Sequence, residues 1–174
     1  HEAWANNPRI AGPEERGDFQ VLQGRVNGLR PYAREKQPQR WLWQPYTPPV
    51  GELYFGEQER AFGAQHAGLL VIEPHIKDKA SPNKIWGWHR WSELVGLLLD
   101  SGLEPVQLGP VGTRTVAGAR LVVTKTMRHA AAVMAHARAA VLPEGGLHHV
   151  AAAVGLPAVV IFGGYISPEV TGYA

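Results

Sequence analysis

The 174-residue chain contains no cysteine, so neither a disulfide framework nor a thiolate metal centre can be built from it. Net charge is also scarce: 17 Lys+Arg stand against 15 Asp+Glu, a formal +2. That balance is too small and too dispersed to argue for nucleic-acid binding. No apolar run approaches the ~18 residues of a membrane-crossing helix. The sequence also lacks HExxH, internal repeats and low-complexity tracts. What it does have is a 45% hydrophobic composition, enough to bury a real core. It opens on His1 where a Met would stand and stops at Ala174 soon after a strand-like run. The expectation is a piece of a longer protein.

Residues 1–59 are rich in Pro, Gly, Arg and aromatics, with "NNPRIAGPEERGDFQ" and "QPYTPPVGELYF" reading as loops around short extended pieces. No long helix is expected there. Trp41, Trp43 and Tyr46 alternate with polar residues, which fits a short strand or extended crossing segment whose rings pack rather than hold a ligand.

From Gly56 onward strand-like and helix-like segments alternate at βαβ lengths. "GLLVIEP" (68–74), "EPVQLGP" (104–110), "AAVLP" (139–143) and 158–162 read as strands. "HRWSELVGLLLDSG" (89–102) sets Trp91, Leu94, Val95, Leu98 and Leu99 on one helical face and ends in glycine. "TMRHAAAVMAHA" (126–137) and about 147–154 are the other helices. An α/β fold follows, a Rossmann-like parallel sheet with helices on both faces.

The stretch "LPEGGLHHVAAAVGLP" places two glycines between a strand and a helix. Glycines there let the backbone turn sharply and let another molecule approach closely. The helix opening near Leu147 presents unpaired N–H groups and a positive dipole end, so an anion fits. His149 can add a donor, and Glu144 can accept from a sugar or ribose hydroxyl. Adjacent histidines on a helix point about 100° apart and rarely chelate one ion, so no metal is expected. His129 and His136, two turns apart, read as surface or capping residues, and His66 and His89 carry no context. The loop "PHIKDKASPNKIWGWHRW" supplies Lys77, Lys79 and Lys84, and Lys84 is expected to face the same crevice and neutralise phosphate charge. Trp86 and Trp88 read as packing between loop and helix.

"KIWGWHRWSELVGLLLDSGLEPVQLGP" followed by "AAVLPEGGLHHVAAAVGLPAVVIFG" resembles the C-terminal, donor-binding domain of the heptosyltransferase-like glycosyltransferases of family 9, a GT-B fold. Lys84 and Trp86 match that family's Lys-x-Trp loop. Glu144, Gly145, Gly146 and His149 match its Asp-[Ser/Thr]-Gly-x-x-His turn, with Gly155, Pro157, Phe162 and Gly163 after it. The likeness covers roughly residues 68–174. It implies a nucleotide-sugar donor domain over 60–174, incomplete at its C-terminus, preceded over 1–59 by the tail of an acceptor domain and a linker. It implies inverting sugar transfer from a nucleotide diphosphate sugar to a glycan or lipid-linked acceptor, without a cofactor or obligatory metal. Lys84, Gly145, Gly146 and His149 would hold the diphosphate, and Glu144 the donor sugar. The catalytic base would come from the other domain, so none is nominated. The location implied is cytoplasmic, with peripheral contact of the full-length protein at the inner membrane face. Glu144 replaces the usual Asp, Gly145 the usual hydroxyl residue, and no acidic residue follows "LGP" to hold the ribose. A catalytically silent nucleotide-binding module and a GT-B-like nucleotide-sugar epimerase stand as the alternatives.

Overall fold

The computed structural model describes residues 5–12, 14–18, 32–37, 40–77 and 80–173. Lys79, the side chain of Trp41 and most of the loop region expected over 19–31 lie outside the described residues.

The central element is a five-stranded sheet made of β3 (Leu70–Ile72), β4 (Pro105–Gly109), β5 (Arg120–Val123), β6 (Ala139–Pro143) and β7 (Ala158–Ile161). Its order is β5-β4-β3-β6-β7, and every adjacent pair is parallel. The strand order therefore reverses at β3, with β4 and β5 on one side and β6 and β7 on the other. Parallel strands need crossovers, and α2 (Trp88–Asp100), α3 (Met127–Met134) and α4 (Gly146–Ala153) supply three of them.

Side-chain alternation along the strands assigns the two faces. Val71, Ala140 and Leu142 pack with α3 and α4, while Ile72 and Val141 turn to α2 and its Trp91 and Val95. The expected apolar face of α2 is present except at its end, where Leu99 is 41% exposed. Gly102 closes that helix at φ +74°, and the Leu103 amide reaches back to the Leu98 carbonyl at 2.9 Å.

Three elements were not anticipated. The edge strand β5 is only four residues long, and Val122 is its one buried residue. The short α5 (Pro168–Thr171) is a single turn opened by proline. The third, α1 (Glu57–Ala64), crosses the boundary expected at 59/60. Its start is set by Glu59, whose carboxylate accepts the Gly56 amide at 2.9 Å. Arg128 of α3 then grips both oxygens of Glu59 at 2.6 Å, and also donates to the Tyr54 carbonyl at 2.6 Å. This buried, bidentate pair fastens α1 to the sheet domain. The helices cross so closely that a Cβ at Gly63 would lie 2.2 Å from the Ala132 carbonyl oxygen.

Toward the N-terminus, β1 (Ala33–Gln37) and β2 (Arg40–Trp43) form a separate antiparallel pair. Trp43 lies on that strand as expected, whereas Tyr46 falls in the extended segment after it. The Trp43 indole donates to the Tyr165 carbonyl at 3.2 Å, and the two rings meet edge-on at 5.7 Å. The rings therefore serve packing between the hairpin and the segment after β7.

Candidate functional site

A cavity of about 890 Å³ opens at the carboxyl ends of the strands. Lys84, Glu144, Gly145, Gly146 and His149 all line it. The five residues singled out from sequence thus come together in one crevice, at the point where the strand order reverses.

Local structure explains each position. Ser81 and Pro82 start a single 3₁₀ turn (Pro82–Lys84) that ends on Lys84. This turn presses against the backbone after β7, where a Cβ at Gly163 would lie 1.7 Å from the Asn83 carbonyl oxygen. Only glycine permits that approach. It brings the Lys84 ammonium onto the Glu144 carboxylate, at the other side of the crevice. Lys84 also lies 5.0 Å from the centre of the Tyr165 ring.

The glycine pair behaves differently from the expected sharp turn. Gly145 is extended (φ 170°) and no side chain caps α4. A Cβ at Gly145 would meet nothing nearer than the Pro143 carbonyl oxygen at 3.9 Å. The fold itself does not demand glycine there.

The two histidines have separate parts. His149 lines the cavity, and its Nδ1 is 2.8 Å from the Tyr173 hydroxyl. When Tyr173 donates that bond, the ring proton sits on Nε2 as a donor. His148 is 3% exposed, with Nδ1 unpartnered. Burial, followed by the neighbouring His149 charge, lowers its pKa to about 4. His148 is therefore a neutral packing residue, edge-on to Phe162 and Tyr173 at 5.8 and 5.2 Å.

Glu144, His148 and His149 offer ligand atoms within 4.8 Å of one another, closer than helical spacing alone implied. The two imidazoles are stacked, with centroids 4.9 Å and planes 23° apart. Lys84 already holds the carboxylate. A cation here would compete with the Lys84 ammonium for that carboxylate.

The other half of the cavity is lined by Glu73, His75, Thr113, Arg114, Met127 and Tyr165; of these the sequence placed only His75, in the loop after a strand, beside the crevice. His75 Nε2 is 2.7 Å from the Arg114 carbonyl, joining the loops after β3 and β4. Arg114 lies over the Trp88 ring at 4.0 Å. Trp86 packs edge-on to Trp91 at 5.0 Å, between the loop and α2. His66 and His129 flank Phe62 at 5.2 and 5.1 Å, at the α1–α3 contact and away from the crevice.

Fold and site together define a Rossmann-like α/β domain, with a cavity and an uncapped helix start at its switch point. The chain belongs to glycosyltransferase family 9 (heptosyltransferase), whose family model matches residues 43–173. Among solved structures, it is similar to the ADP-heptose LPS heptosyltransferase II of E. coli, at 25% identity and a TM-score of 0.54, over 78% of this chain and 44% of that one. A family 9 glycosyltransferase from Veillonella parvula DSM 2008 matches at 19% identity and a TM-score of 0.57, over 71% and 40%. E. coli heptosyltransferase WaaC, determined with ADP, matches at 23% and 0.53, over 62% and 35%. The last two likenesses bear on the fold alone. The chain spans less than half the length of these proteins. No curated protein matches by sequence.

Proposed function

We propose that this chain is the donor-binding half of an inverting glycosyltransferase that moves a sugar from a nucleotide diphosphate sugar to a glycan or lipid-linked acceptor. The observation that carries this reading is the convergence of Lys84, the uncapped start of α4 at Gly145–Gly146 and His149 on one cavity. The family membership supports it, as does the likeness to a protein described as an ADP-heptose LPS heptosyltransferase.

In this reading the diphosphate lies against the α4 amides, and Lys84 moves from Glu144 to the phosphate oxygens. Glu144, freed of its cation, accepts hydroxyls of the donor sugar. As the sugar departs, negative charge grows on the leaving nucleoside diphosphate. Lys84, the helix start and the His149 donor stabilise it without a metal. The base that activates the acceptor belongs to the acceptor domain, to which residues 1–59 contribute only a tail. The donor domain proper runs over 60–174. The complete protein would work in the cytoplasm, meeting lipid-linked acceptors at the inner membrane face.

Calorimetric titration of the chain with ADP, GDP, UDP and dTDP tests the site. One nucleotide should bind, and Lys84→Ala and His149→Ala should each weaken it by ~1–3 kcal/mol, the range for a charge-assisted hydrogen bond. Binding that neither substitution alters would remove the assignment. An affinity unchanged by a chelator is also expected, and a metal requirement would overturn the metal-free mechanism.

A further inference from the structure

We propose that Glu73 holds the ribose diol of the bound nucleotide, a reading that rests on the donor site described above. Glu73 is the first residue beyond β3, the strand at which the sheet order reverses. Its amide donates to the Val141 carbonyl at 3.1 Å, tying it to β6. The side chain thus starts from the floor of the crevice, between the loops that close it on either side, and it lines the cavity.

One oxygen, Oε1, accepts the His75 amide at 2.7 Å, which fixes the carboxyl group. Among the described residues no cation pairs with it; their ion pairs are Arg9–Glu52, Lys84–Glu144 and Arg128–Glu59. Burial accordingly raises its pKa to about 7. The fold thus keeps a desolvated carboxyl group at the crevice with most of its acceptor capacity unspent, its cost offset in part by the His75 amide.

The chemistry of the missing partner follows from what a carboxylate can take. Phosphate is repelled by it and has its own place at Lys84 and the α4 amides. Neighbouring hydroxyls are the best match, because a carboxylate accepts from both at once and charge-assisted bonds are the stronger kind. In a nucleoside diphosphate the group next to the phosphates is the ribose. Gly145 and Gly146 line the cavity beyond β6, Glu73 beyond β3, and Gly109 and Thr113 at and after the end of β4; β3 lies between β6 and β4 in the sheet, which is the order diphosphate then ribose requires.

The experiment titrates wild type and Glu73→Gln with the nucleoside diphosphate that binds the wild type, its 2′-deoxy counterpart and inorganic pyrophosphate. Wild type should bind the ribonucleotide at least tenfold more tightly than the deoxynucleotide. Glu73→Gln should lose that preference by weakening the ribonucleotide about tenfold, and should bind pyrophosphate within twofold of wild type. A retained preference in Glu73→Gln, or none in wild type, overturns the assignment while leaving the donor site standing. An equal loss for pyrophosphate also overturns it, since Glu73 would then act on the phosphate end or on the fold. An effect seen only with a nucleotide sugar moves Glu73 to the donor sugar and likewise refutes the ribose role. Failure of the folded wild-type chain to bind any nucleotide sinks the donor-site reading, and this one with it.

Discussion

The ammonium of Lys84 rests on the carboxylate of Glu144, a partner 60 positions away in the sequence. The two side chains are only 18% and 8% exposed. The cation assigned to phosphate is therefore already engaged, and an incoming anion must compete with an internal one. Glu144→Gln should release Lys84 and tighten inorganic pyrophosphate about tenfold, while Lys84→Ala weakens it by at least that factor. Both constants come from the same calorimetric titration. A Glu144→Gln variant with unchanged pyrophosphate affinity would show that the ion pair does not compete with the ligand.

Gly163 sets where Lys84 stands. Because a Cβ there would lie 1.7 Å from the Asn83 carbonyl oxygen, Gly163→Ala must push the 3₁₀ turn away from the sheet. The expected cost is about 2–4 kcal/mol of stability, read by urea denaturation. Nucleotide affinity should fall with it even under conditions where the variant is fully folded. Gly145→Ala, by contrast, should cost less than about 1 kcal/mol of stability, because its Cβ would make only an ordinary van der Waals contact with the Pro143 carbonyl oxygen at 3.9 Å, yet should impair nucleotide binding. Equal stability losses in the two variants would contradict this division.

Glu73 and His148 should tilt stability in opposite directions with pH. The Glu73 pKa is raised in the folded state, from 4.5 to about 7. Its contribution is therefore full below pH 4.5 and is lost as pH rises through 7. The His148 pKa is lowered from 6.5 to about 4, so its contribution is full above pH 6.5 and is lost as pH falls through 4. Each change is about 3 kcal/mol at 1.36 kcal/mol per pH unit, so the two largely cancel between pH 4.5 and 6.5. The charged groups sharing the Glu73 cavity are His75, Lys77, Arg114, Lys84, Glu144 and His149. Those acting on His148 are His149, Glu144 and Lys84.

Relative to wild type, Glu73→Gln should gain stability from pH 4.5 to 8. His148→Phe, which keeps an aromatic ring against Phe162 and Tyr173, should gain it from pH 6.5 down to 4. Urea denaturation across that range measures both. A difference that stays flat with pH in either variant would mean that the residue titrates normally in the folded chain.

Much of the sheet could be read from sequence because buried parallel strands are short apolar runs bounded by glycine and proline, as at 68–74 and 139–143. The α2 stripe was equally plain, with Trp91 and Val95 one helical turn apart. Elements held by partners distant in sequence were not readable. α1 has an ordinary polar composition, and its place depends on Arg128 reaching Glu59 across 69 positions. β5 is a four-residue edge strand recognisable only beside β4.

The same division runs through the site. Sequence by itself determined that a strand–Gly–Gly–helix turn, a histidine and a lysine loop of family 9 type occur in this chain, because backbone freedom, helix dipole and side-chain chemistry are local properties. Tertiary structure decided how those groups are used. It set Lys84 on Glu144, buried His148 while leaving its neighbour at the cavity, and placed Glu73, with no ion partner among the described residues, on the crevice floor. Burial, ion pairing and the resulting proton affinities depend on which elements meet, and for residues far apart in the chain only the folded sheet brings them together.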